Sequence, residues 1–397
     1  MKIVIAPDKF KGCLGAAEVA AAIAVGLRSV DPALTLDLCP MADGGEGTVD
    51  ALVAATGGKK VTRRIMGPLP DMKVDATFGL LGEGRTAVIE MASASGLHLL
   101  TPEQRNPLNT TTYGTGQLLM AAVELGARRI ILGIGGSATT DAGLGCAQAC
   151  GLISAKEEMP LLMPLSAPEL CKSVLLQAPI TGRNLGQPFL INPIASTPLA
   201  EVEIIVACDV SNPLYGPEGA ARVYGPQKGA TPEQVQQLDA SLERLARRLD
   251  KTQIAQMPGA GAAGGLGFGM LAFFGARIQP GVDIVIDAVN LRQRLANADL
   301  CLTGEGKLDA QSLAGKTPIG VARICKDAGI PCIGLAGSVE AEAARNSVAS
   351  GMTACFSICN GPMDLNQAMR CAKPLLSAAA ANILRAMRSL GRQGLSA

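Results

Sequence analysis

A loop rich in glycine and hydroxyl side chains, residues 133–143, carries the clearest chemical signal in the sequence. An apolar run typical of a strand precedes it, and a run typical of a helix follows it. Successive backbone N–H groups, hydroxyls and the positive end of a helix dipole are the groups that hold phosphate in proteins. We therefore predict phosphate contacts from Gly135, Gly136, Ser137 and Thr139. Thr140 or Asp141 is also expected to cap the helix, but capping alone does not explain the glycine pair.

Acidic side chains follow two other apolar runs, and ligands of parallel sheets gather at such strand ends. Residues 43–48 combine three glycines, which let a backbone approach a ligand, with Asp43 and Glu46, whose carboxylates suit Mg²⁺. Asp209 ends the second run. Its carboxylate suits a general base or a metal ligand, and a turn-forming role is the alternative.

Basic residues accompany glycine and acid at two further strand ends. Residues 8–12, Asp-Lys-Phe-Lys-Gly, suit an anion beside a helix N-terminus. Residues 303–309, Thr-Gly-Glu-Gly-Lys-Leu-Asp, are predicted to form a loop, and Gly-Lys-Thr follows at 315–317. Together, residues 303–309 and 315–317 nearly match a P-loop, but Ala310 stands where the first glycine of that pattern is needed. We interpret it as a phosphate-binding element of another kind, with contacts from Gly304, Gly306 and Lys316.

The glycines at 259–264 fit a dinucleotide-binding pattern, G-x-G-x-x-G, and Asp283 lies further along. That pattern requires a preceding strand within a βαβ unit, and here a charged helix precedes it. We therefore expect a close-packing or hinge loop rather than an NAD-dependent dehydrogenase.

Composition excludes several classes of site. The chain of 397 residues has one histidine, His98, which argues strongly against histidine-rich metal sites and Ser-His-Asp triads, and His98 is interpreted as structural. Carboxylates, lysines, hydroxyls and backbone N–H groups must do the chemistry. A net charge of +1 and 3% aromatic residues argue against nucleic acid as a partner.

Cysteine usage and hydropathy bear on the compartment. The twelve cysteines include no C-x-x-C pair, and several lie in apolar runs, so we expect reduced core residues and a cytoplasmic protein. The first residues resemble a strand rather than a signal peptide. The longest uncharged stretch, 252–276, is too rich in glycine for a membrane span, and we expect no membrane association.

Strand and helix patterns alternate along the chain, which is typical of an α/β fold with parallel sheets. The pattern breaks near residue 67 and returns to simple βα alternation after about residue 290. We predict two domains: a discontinuous Rossmann-like domain of residues 1–66 and 290–397, and a second, mixed-sheet α/β domain of residues 67–289 inserted into it. Residues 153–199 are expected to be irregular.

These motifs together resemble the bacterial glycerate kinase type 1 family, in order and spacing. The resemblance is carried by Ile3–Gly12, Pro40–Thr48, Gly135–Gly143, Ala207–Leu214 and Thr303–Ala322. Lys9, Cys13 and Lys307 depart from the residues that the family usually has, and so does the segment 153–199.

The resemblance implies phosphoryl transfer from MgATP to D-glycerate, with 2-phosphoglycerate as the usual bacterial product. It also implies two α/β domains with the active site in their cleft, and a place in the breakdown of glyoxylate, glucarate or galactarate. No nucleic acid or membrane partner is expected, and a homo-oligomer is left open.

Roles follow for the candidate residues, because phosphoryl transfer needs positioning and charge neutralisation more than covalent chemistry. Asp43, Glu46 or Glu305 would hold Mg²⁺, and Asp209 or Asp141 would accept the hydroxyl proton. Lysines would neutralise the charge of phosphate or of the glycerate carboxylate, and Lys11 and Lys307 are assigned to the catalytic set. The full set is: catalytic Asp209, Asp141, Lys11 and Lys307; ATP-binding Gly135, Gly136, Ser137, Thr139, Gly304, Gly306 and Lys316; substrate-binding Asp8, Lys9, Gly44 and Gly45; metal-binding Asp43, Glu46 and Glu305.

Two other function classes stay open at this level. The first is a non-catalytic sugar-acid sensor or binding protein on the same scaffold. The second is the NAD-dependent dehydrogenase, which the misplaced glycine pattern disfavours.

Overall fold

The computed structural model describes residues 1–82, 84–155, 178–313 and 315–392. The described residues form two main sheets and a short hairpin. In chain order the strands are β1 (Lys2–Ile5), β2 (Thr35–Leu38), β3 (Lys59–Met66), β4 (Lys73–Leu80), β5 (Thr86–Glu90), β6 (Arg129–Gly133), β7 (Ile153–Ala155), β8 (Phe189–Ile191), β9 (Glu203–Ala207), β10 (Arg277–Gln279), β11 (Leu300–Leu308), β12 (Cys332–Val339) and β13 (Ala354–Ser357).

Helices alternate with the strands, as the sequence pattern predicts. In chain order they are α1 (Ala16–Val30), α2 (Thr48–Thr56), α3 (Ala92–Ser95), α4 (Tyr113–Glu124), α5 (Leu144–Ala149), α6 (Ala220–Tyr224), α7 (Pro232–Arg248), α8 (Thr252–Ala255), α9 (Ala262–Phe274), α10 (Gly281–Ala288), α11 (Leu291–Leu295), α12 (Ala310–Leu313), α13 (Thr317–Asp327), α14 (Ala341–Ala349), α15 (Leu365–Arg370) and α16 (Ala372–Arg392). In the parts of the chain that the structure describes, no helix is both long and apolar enough to cross a bilayer.

Two compact units divide the chain, and each has its own sheet. Unit 1 comprises Met1–Gly58 and Pro280–Ala397, and unit 2 comprises Lys59–Gln279. The predicted boundaries lie at 66/67 and 289/290. The structure therefore groups β3 with unit 2, because β3 pairs along its whole length with β4, and it groups α10 with unit 1.

Unit 1 is built on a five-stranded parallel sheet in the order β13-β12-β11-β1-β2. Parallel sheets are covered on both faces, so their strands are nearly continuous apolar runs, as in Ile3–Ile5. The apolar stripe of α1, Val19, Ile23 and Leu27, is fully buried in the core of this unit. The Rossmann-like parallel sheet is confirmed.

Unit 2 contains a six-stranded mixed sheet in the order β10-β9-β6-β5-β4-β3. Strands β5, β6, β9 and β10 run parallel, and β3 and β4 add an antiparallel meander at one edge. Strands β4 and β5 are neighbours in the chain and pair antiparallel, and Glu83, between them, lies outside the described residues. The predicted mixed-sheet fold is therefore also confirmed.

Two local predictions are wrong or incomplete. Residues 303–308 are not a loop, because β11 continues through them and pairs with β12 as far as Leu308 and Val339. Strand β3 was not predicted, because half of its residues are charged; most of its side chains are exposed or half-buried at the edge of the sheet. The glycines near residue 264 pack closely, as expected: a Cβ at Gly264 would come within 1.9 Å of the Thr139 carbonyl oxygen.

The irregular segment predicted at 153–199 is only partly described. A two-stranded hairpin, β7 with β8, and short 3₁₀ turns at Gly182–Asn184 and Ile194–Ser196 occupy its two ends. The remainder, residues 156–177, lies outside the described residues.

Candidate active site

The predicted residues of unit 1 collect at the carboxyl edge of its parallel sheet. Ile5 of β1 pairs with Leu38 of β2 on one side and with Leu302 of β11 on the other. The segments that follow Ile5 and Leu38 leave the sheet at this edge and carry Asp8 and Asp43, whereas β11 continues past it as a strand and carries Glu305.

Asp8 is the most strongly held of these carboxylates. Only 6% of the residue is exposed. The Thr317 hydroxyl donates to Oδ2 at 2.6 Å, and the Lys9 backbone N–H donates to Oδ1 at 2.6 Å. Burial, and secondarily the negative charge of Asp43, raise the pKa of Asp8 to about 6. A site that holds a carboxylate in place while disfavouring its charge is typical of a cation-binding position.

Glu305 shows the same electrostatic signature. Burial is the main cause that raises the pKa of this carboxyl to about 7, and the charges of Asp8 and Asp309 add to it. Its Oε1 is buried and has no hydrogen-bond partner among the described residues. Within β11, Gly304 precedes it, and a Cβ at Gly304 would meet the Leu335 carbonyl oxygen at 1.9 Å. Glycine at that position therefore lets β11 and β12 approach closely just before the acid.

Asp8, Asp43 and Glu305 fit Mg²⁺ in kind. A nearby cation would satisfy the orphan oxygen of Glu305 and relieve the repulsion between the carboxylates. Their oxygens are not all within 4.8 Å of one another, so they do not form a closed three-carboxylate cage. In the described ranges, the three potential ligand atoms that are this close belong to the buried thiols Cys301, Cys325 and Cys332. Mg²⁺ takes one or two carboxylates and completes its shell with waters and phosphates, so no such cage is needed.

The predicted basic residues of unit 1 separate into three settings. Lys316 precedes α13, and its charge acts on Glu305. The Lys9 ammonium donates to the Glu46 carbonyl oxygen, whereas Lys11 is exposed. Lys307 pairs with Glu340 at 2.7 Å and Asp309 at 3.4 Å, and these partners raise the pKa of its ammonium. Lys307 is therefore paired with acids other than Asp8, Asp43 and Glu305.

The glycine-rich turn after β2 is organised around Asp43. The Gly45 backbone N–H donates to Oδ1 of Asp43 at 3.1 Å, and the Thr48 hydroxyl donates to the Gly45 carbonyl oxygen at 2.6 Å. Gly44 is buried, whereas the side chain of Glu46 is exposed. Asp43 is therefore the metal-binding candidate that this turn positions.

The predicted ATP-binding residue Gly306 lies in β11. The Lys11 backbone nitrogen is 3.4 Å from the position that a Cβ at Gly306 would take.

Unit 2 places the phosphate-type loop at the carboxyl edge of its own sheet. Gly133, at the end of β6, pairs with Glu90 of β5 and Ala207 of β9. Beyond it, Gly135 and Gly136 are exposed, and residues 137–141 are buried. The φ angle of Gly136 is 74°, a left-handed conformation that glycine adopts without strain. Because residues 137–141 are buried and the glycine pair is exposed, an anion can reach the backbone N–H groups of Gly135 and Gly136.

Asp141 is a buried residue whose hydrogen bonds hold that loop in place. It is fully buried, and Oδ2 accepts from the Thr112 N–H at 2.7 Å and the Thr112 hydroxyl at 2.8 Å. The N–H groups of Gly143 and Gly145 donate to its two oxygens at 3.1 and 3.3 Å. Burial raises the pKa of this carboxyl, and these hydrogen bonds oppose the shift. Its oxygens are therefore occupied within the fold, which suits a role in holding the loop.

Asp209 lies two residues beyond the last residue of β9, at the same sheet edge as the loop, and it is exposed. That position leaves its carboxylate accessible to a substrate.

Three groups of functional residues were not predicted. Thr317 holds Asp8. Lys228 is 2% exposed, and its ammonium donates to the Thr139 carbonyl oxygen at 2.6 Å. The segment Thr110–Thr112 packs against the loop, and the Thr110 hydroxyl donates to the Ala138 carbonyl oxygen at 2.9 Å. The triple threonine was visible in the sequence, but its contact with a loop that follows a later strand was not.

The parallel strands, the strand-end carboxylates and the glycine loop are features of the class of α/β proteins that bind ligands at the carboxyl ends of strands. Comparison with known proteins narrows this class. The model of the glycerate kinase family matches residues 3–388. The chain belongs to that family.

Relatives match along almost the whole chain. A glycerate kinase of Halalkalibacterium halodurans is 46% identical over 385 residues, with 96% of this chain and 97% of that protein covered. The glycerate 2-kinase of Escherichia coli is 43% identical over 387 residues, with the same two coverages. The crystal structure of a glycerate kinase 2 from Salmonella typhimurium superposes with a TM-score of 0.84 at 42% identity and covers 99% of each chain.

Proposed function

We propose that this protein catalyses the ATP-dependent phosphorylation of D-glycerate and forms 2-phosphoglycerate. The observation that carries the proposal is the full-length similarity to glycerate kinases, one of which is named a glycerate 2-kinase. Each unit agrees in kind, because unit 1 offers carboxylates and lysines and unit 2 offers a glycine loop, the groups on which phosphoryl transfer depends.

In unit 1, Asp8, Asp43 and Glu305 would hold Mg²⁺, directly or through water. When bound, Mg²⁺ neutralises phosphate charge and polarises phosphoryl oxygens. Thr317 and the Lys9 backbone hold the Asp8 carboxylate, so its orientation is set before any ligand arrives. Lys316 and Lys11 would neutralise phosphate charge, and the pairing of Lys307 with Glu340 and Asp309 gives it a supporting role in this proposal.

In unit 2, the N–H groups of the exposed glycine pair would bind an anionic group, with Ser137 and Thr139 beside them. Asp209 would accept the proton of the attacking hydroxyl, and Asp141 would keep the loop in shape through its four hydrogen bonds. We further propose that the protein works in the cytoplasm, since the described cysteines are free thiols, as is typical of a reducing compartment.

The test is a coupled assay of ADP release with D-glycerate, ATP and Mg²⁺, followed by phosphorus NMR of the product. Release of ADP that depends on D-glycerate, with phosphate on the C2 oxygen, supports the proposal. Saturable binding of D-glycerate without ADP release would point to a sensor instead, and reduction of NAD would point to a dehydrogenase. A 3-phosphoglycerate product would overturn the proposed position of phosphorylation alone.

A further inference from the structure

Lys228 is a lysine whose whole side chain is buried in unit 2. The residue is 2% exposed and ends a short 3₁₀ turn, Pro226–Lys228. Its ammonium donates one hydrogen bond, at 2.6 Å, to the Thr139 carbonyl oxygen of loop 133–143. An ammonium has three N–H donors, so two remain unmatched within the described ranges. Lysine is rarely buried unless it is paired, so this one requires an explanation.

The surroundings of Lys228 do not neutralise it. Asp141 is the charged group whose field favours the ammonium, but no described ion pair joins the two, and Asp141 accepts its hydrogen bonds from Thr112, Gly143 and Gly145. Burial outweighs this field and lowers the pKa of Lys228 to about 7.

The described contacts around Lys228 give it no other acidic partner. The backbone of Arg105 packs against Gly229, next to Lys228. On the neighbouring helices α6 and α7, Arg222 and Asp239 pair with each other at 2.8 Å. Among the described residues, Asp141 is therefore the acidic group that acts on Lys228.

Unmatched hydroxyls lie in the same loop. The Oγ1 atoms of Thr139 and Thr140 are buried and have no hydrogen-bond partner among the described residues. Buried polar groups normally have partners, so unmatched donors on the loop and on the lysine that holds it point to a missing partner. Donors without acceptors indicate that the missing partner is an acceptor, and an anion is the acceptor that an ammonium binds most strongly.

We propose that Lys228 is the cation that enables loop 133–143 to bind an anionic group at the exposed pair Gly135 and Gly136. The inference rests on the proposed function and adds a positioning residue to it. Lys228 acts through the Thr139 carbonyl, which it fixes, and through its charge, which raises the potential of the loop's N–H groups. The anionic group is a phosphate of the nucleotide or the carboxylate of glycerate, two ligands with the same oxygen chemistry.

The first experiment compares Lys228→Met and Lys228→Arg with wild type by calorimetric binding of D-glycerate and, separately, of a non-hydrolysable ATP analogue with Mg²⁺. Lys251→Met is the matched control, because Lys251 is an exposed lysine of the same unit. The methionine variant should bind one of the two ligands roughly 10- to 100-fold more weakly, the usual effect of losing a charged hydrogen-bonding group. The arginine variant should restore part of that affinity, and the control should bind like wild type.

The ligand that weakens identifies the anion at the loop. The proposal is overturned if a folded Lys228→Met protein binds both ligands with wild-type affinity. Equal weakening of both ligands in the methionine and arginine variants, with equal losses of thermal stability, would also overturn it, since that pattern indicates a purely structural role.

A second measurement uses wild-type protein and is decisive even if Lys228→Met does not fold. NMR of side-chain-labelled lysines follows the pKa of Lys228, which should start near 7 and rise when the ligand is added, because an anion favours the charged form. A pKa unchanged by both ligands contradicts the proposal. Wild-type turnover distinguishes the two levels: Lys228-dependent binding without turnover removes the proposed function alone, and turnover unaffected by Lys228→Met removes this inference alone.

Discussion

Asp8 is the residue at which the fold and the chemistry of unit 1 conflict most directly. The Thr317 hydroxyl and the Lys9 N–H hold its two oxygens, yet burial and Asp43 raise its pKa from 3.8 to about 6. A carboxylate that is well hydrogen-bonded and still penalised for its charge stores an unfavourable electrostatic free energy. A divalent cation would release that free energy on binding.

Replacing Asp8 with Asn should change the pH dependence of stability. The folded chain binds the Asp8 proton more tightly than the unfolded chain, so the free energy of unfolding falls as the pH rises from about 4 to about 6. At about 1.4 kcal/mol per pKa unit, the full cost is on the order of 3 kcal/mol. Asp8→Asn should remove this slope and, without Mg²⁺, gain about 1–2 kcal/mol above pH 7, since the amide loses one acceptor.

Urea unfolding with a chelator present, below and above this pH interval, measures the effect. Asp327→Asn, at an exposed ion pair of the same unit, is the matched control and should keep the wild-type slope. An unaltered slope in Asp8→Asn would show that Asp8 is not the group responsible.

Glu305 should link the Mg²⁺ requirement to pH. Its pKa is raised to about 7, so protons compete with the metal there, and activity at limiting Mg²⁺ should rise with pH through about 7. Glu305→Gln should raise the Mg²⁺ concentration for half-maximal activity by about 10- to 100-fold and flatten that pH dependence. Steady-state rates over a Mg²⁺ titration test this. Glu342→Gln, an exposed acid of α14, should behave like wild type; an unchanged Mg²⁺ requirement in Glu305→Gln removes Glu305 from the metal site.

Asp209 and Asp141 should respond differently to the same chemical change. Asp209→Asn should lower kcat by about 10²–10⁴ with little change in stability, because an exposed base is lost. Asp141→Asn should instead lower the free energy of unfolding by about 1–3 kcal/mol, because an amide nitrogen would face backbone N–H donors. Steady-state kinetics and urea unfolding of both variants test this difference. A fully active Asp209→Asn enzyme would exclude Asp209 as the base.

At the scale of elements, hydrophobic periodicity predicted most of the strand and helix positions. Helices α1 and α2 are examples, because their apolar stripes and their flanking loops are clear in the sequence. Strand β3 could not be predicted, since an edge strand with charged side chains lacks an apolar pattern. The extension of β11 was missed because Gly304 and Gly306 resemble loop residues, whereas in the structure Gly304 permits close contact with β12.

That close contact makes Gly304 sensitive to a single methyl group. A Cβ there would lie 1.9 Å from the Leu335 carbonyl oxygen, so Gly304→Ala must separate β11 from β12. We expect a loss of about 1–3 kcal/mol in the free energy of unfolding, the usual cost of overpacking. The matched control is Gly361→Ala, where a Cβ meets nothing within 4 Å. Thermal or urea unfolding measures both, and equal stabilities would show that β11 and β12 tolerate the separation.

At the scale of the whole molecule, the sequence predicted which strand ends carry chemistry, but not the contacts that hold those side chains. The loop at 133–143 and the carboxylates Asp43 and Glu305 stand out by residue type alone. The partners Thr317 and Lys228 do not, because each reaches its target across a long sequence separation, as the bond from Thr317 to Asp8 shows. Buried polar contacts of this kind follow from the tertiary fold and have no local signal.

Each compact unit has its own hydrophobic cluster, so we propose that unit 2 is an inserted domain that folds by itself. Its cluster extends from Ile65 to Ala276, entirely within Lys59–Gln279, and its mixed sheet takes no strand from unit 1. A domain with a complete sheet and core should not need the remainder of the chain to fold. Residues 59–279 expressed alone should therefore show a dispersed amide NMR spectrum and one cooperative urea transition. Residues 1–58, which supply only β1 and β2 of the other sheet, are the control and should stay unfolded; a collapsed amide spectrum for 59–279 would mean that the two units fold only together.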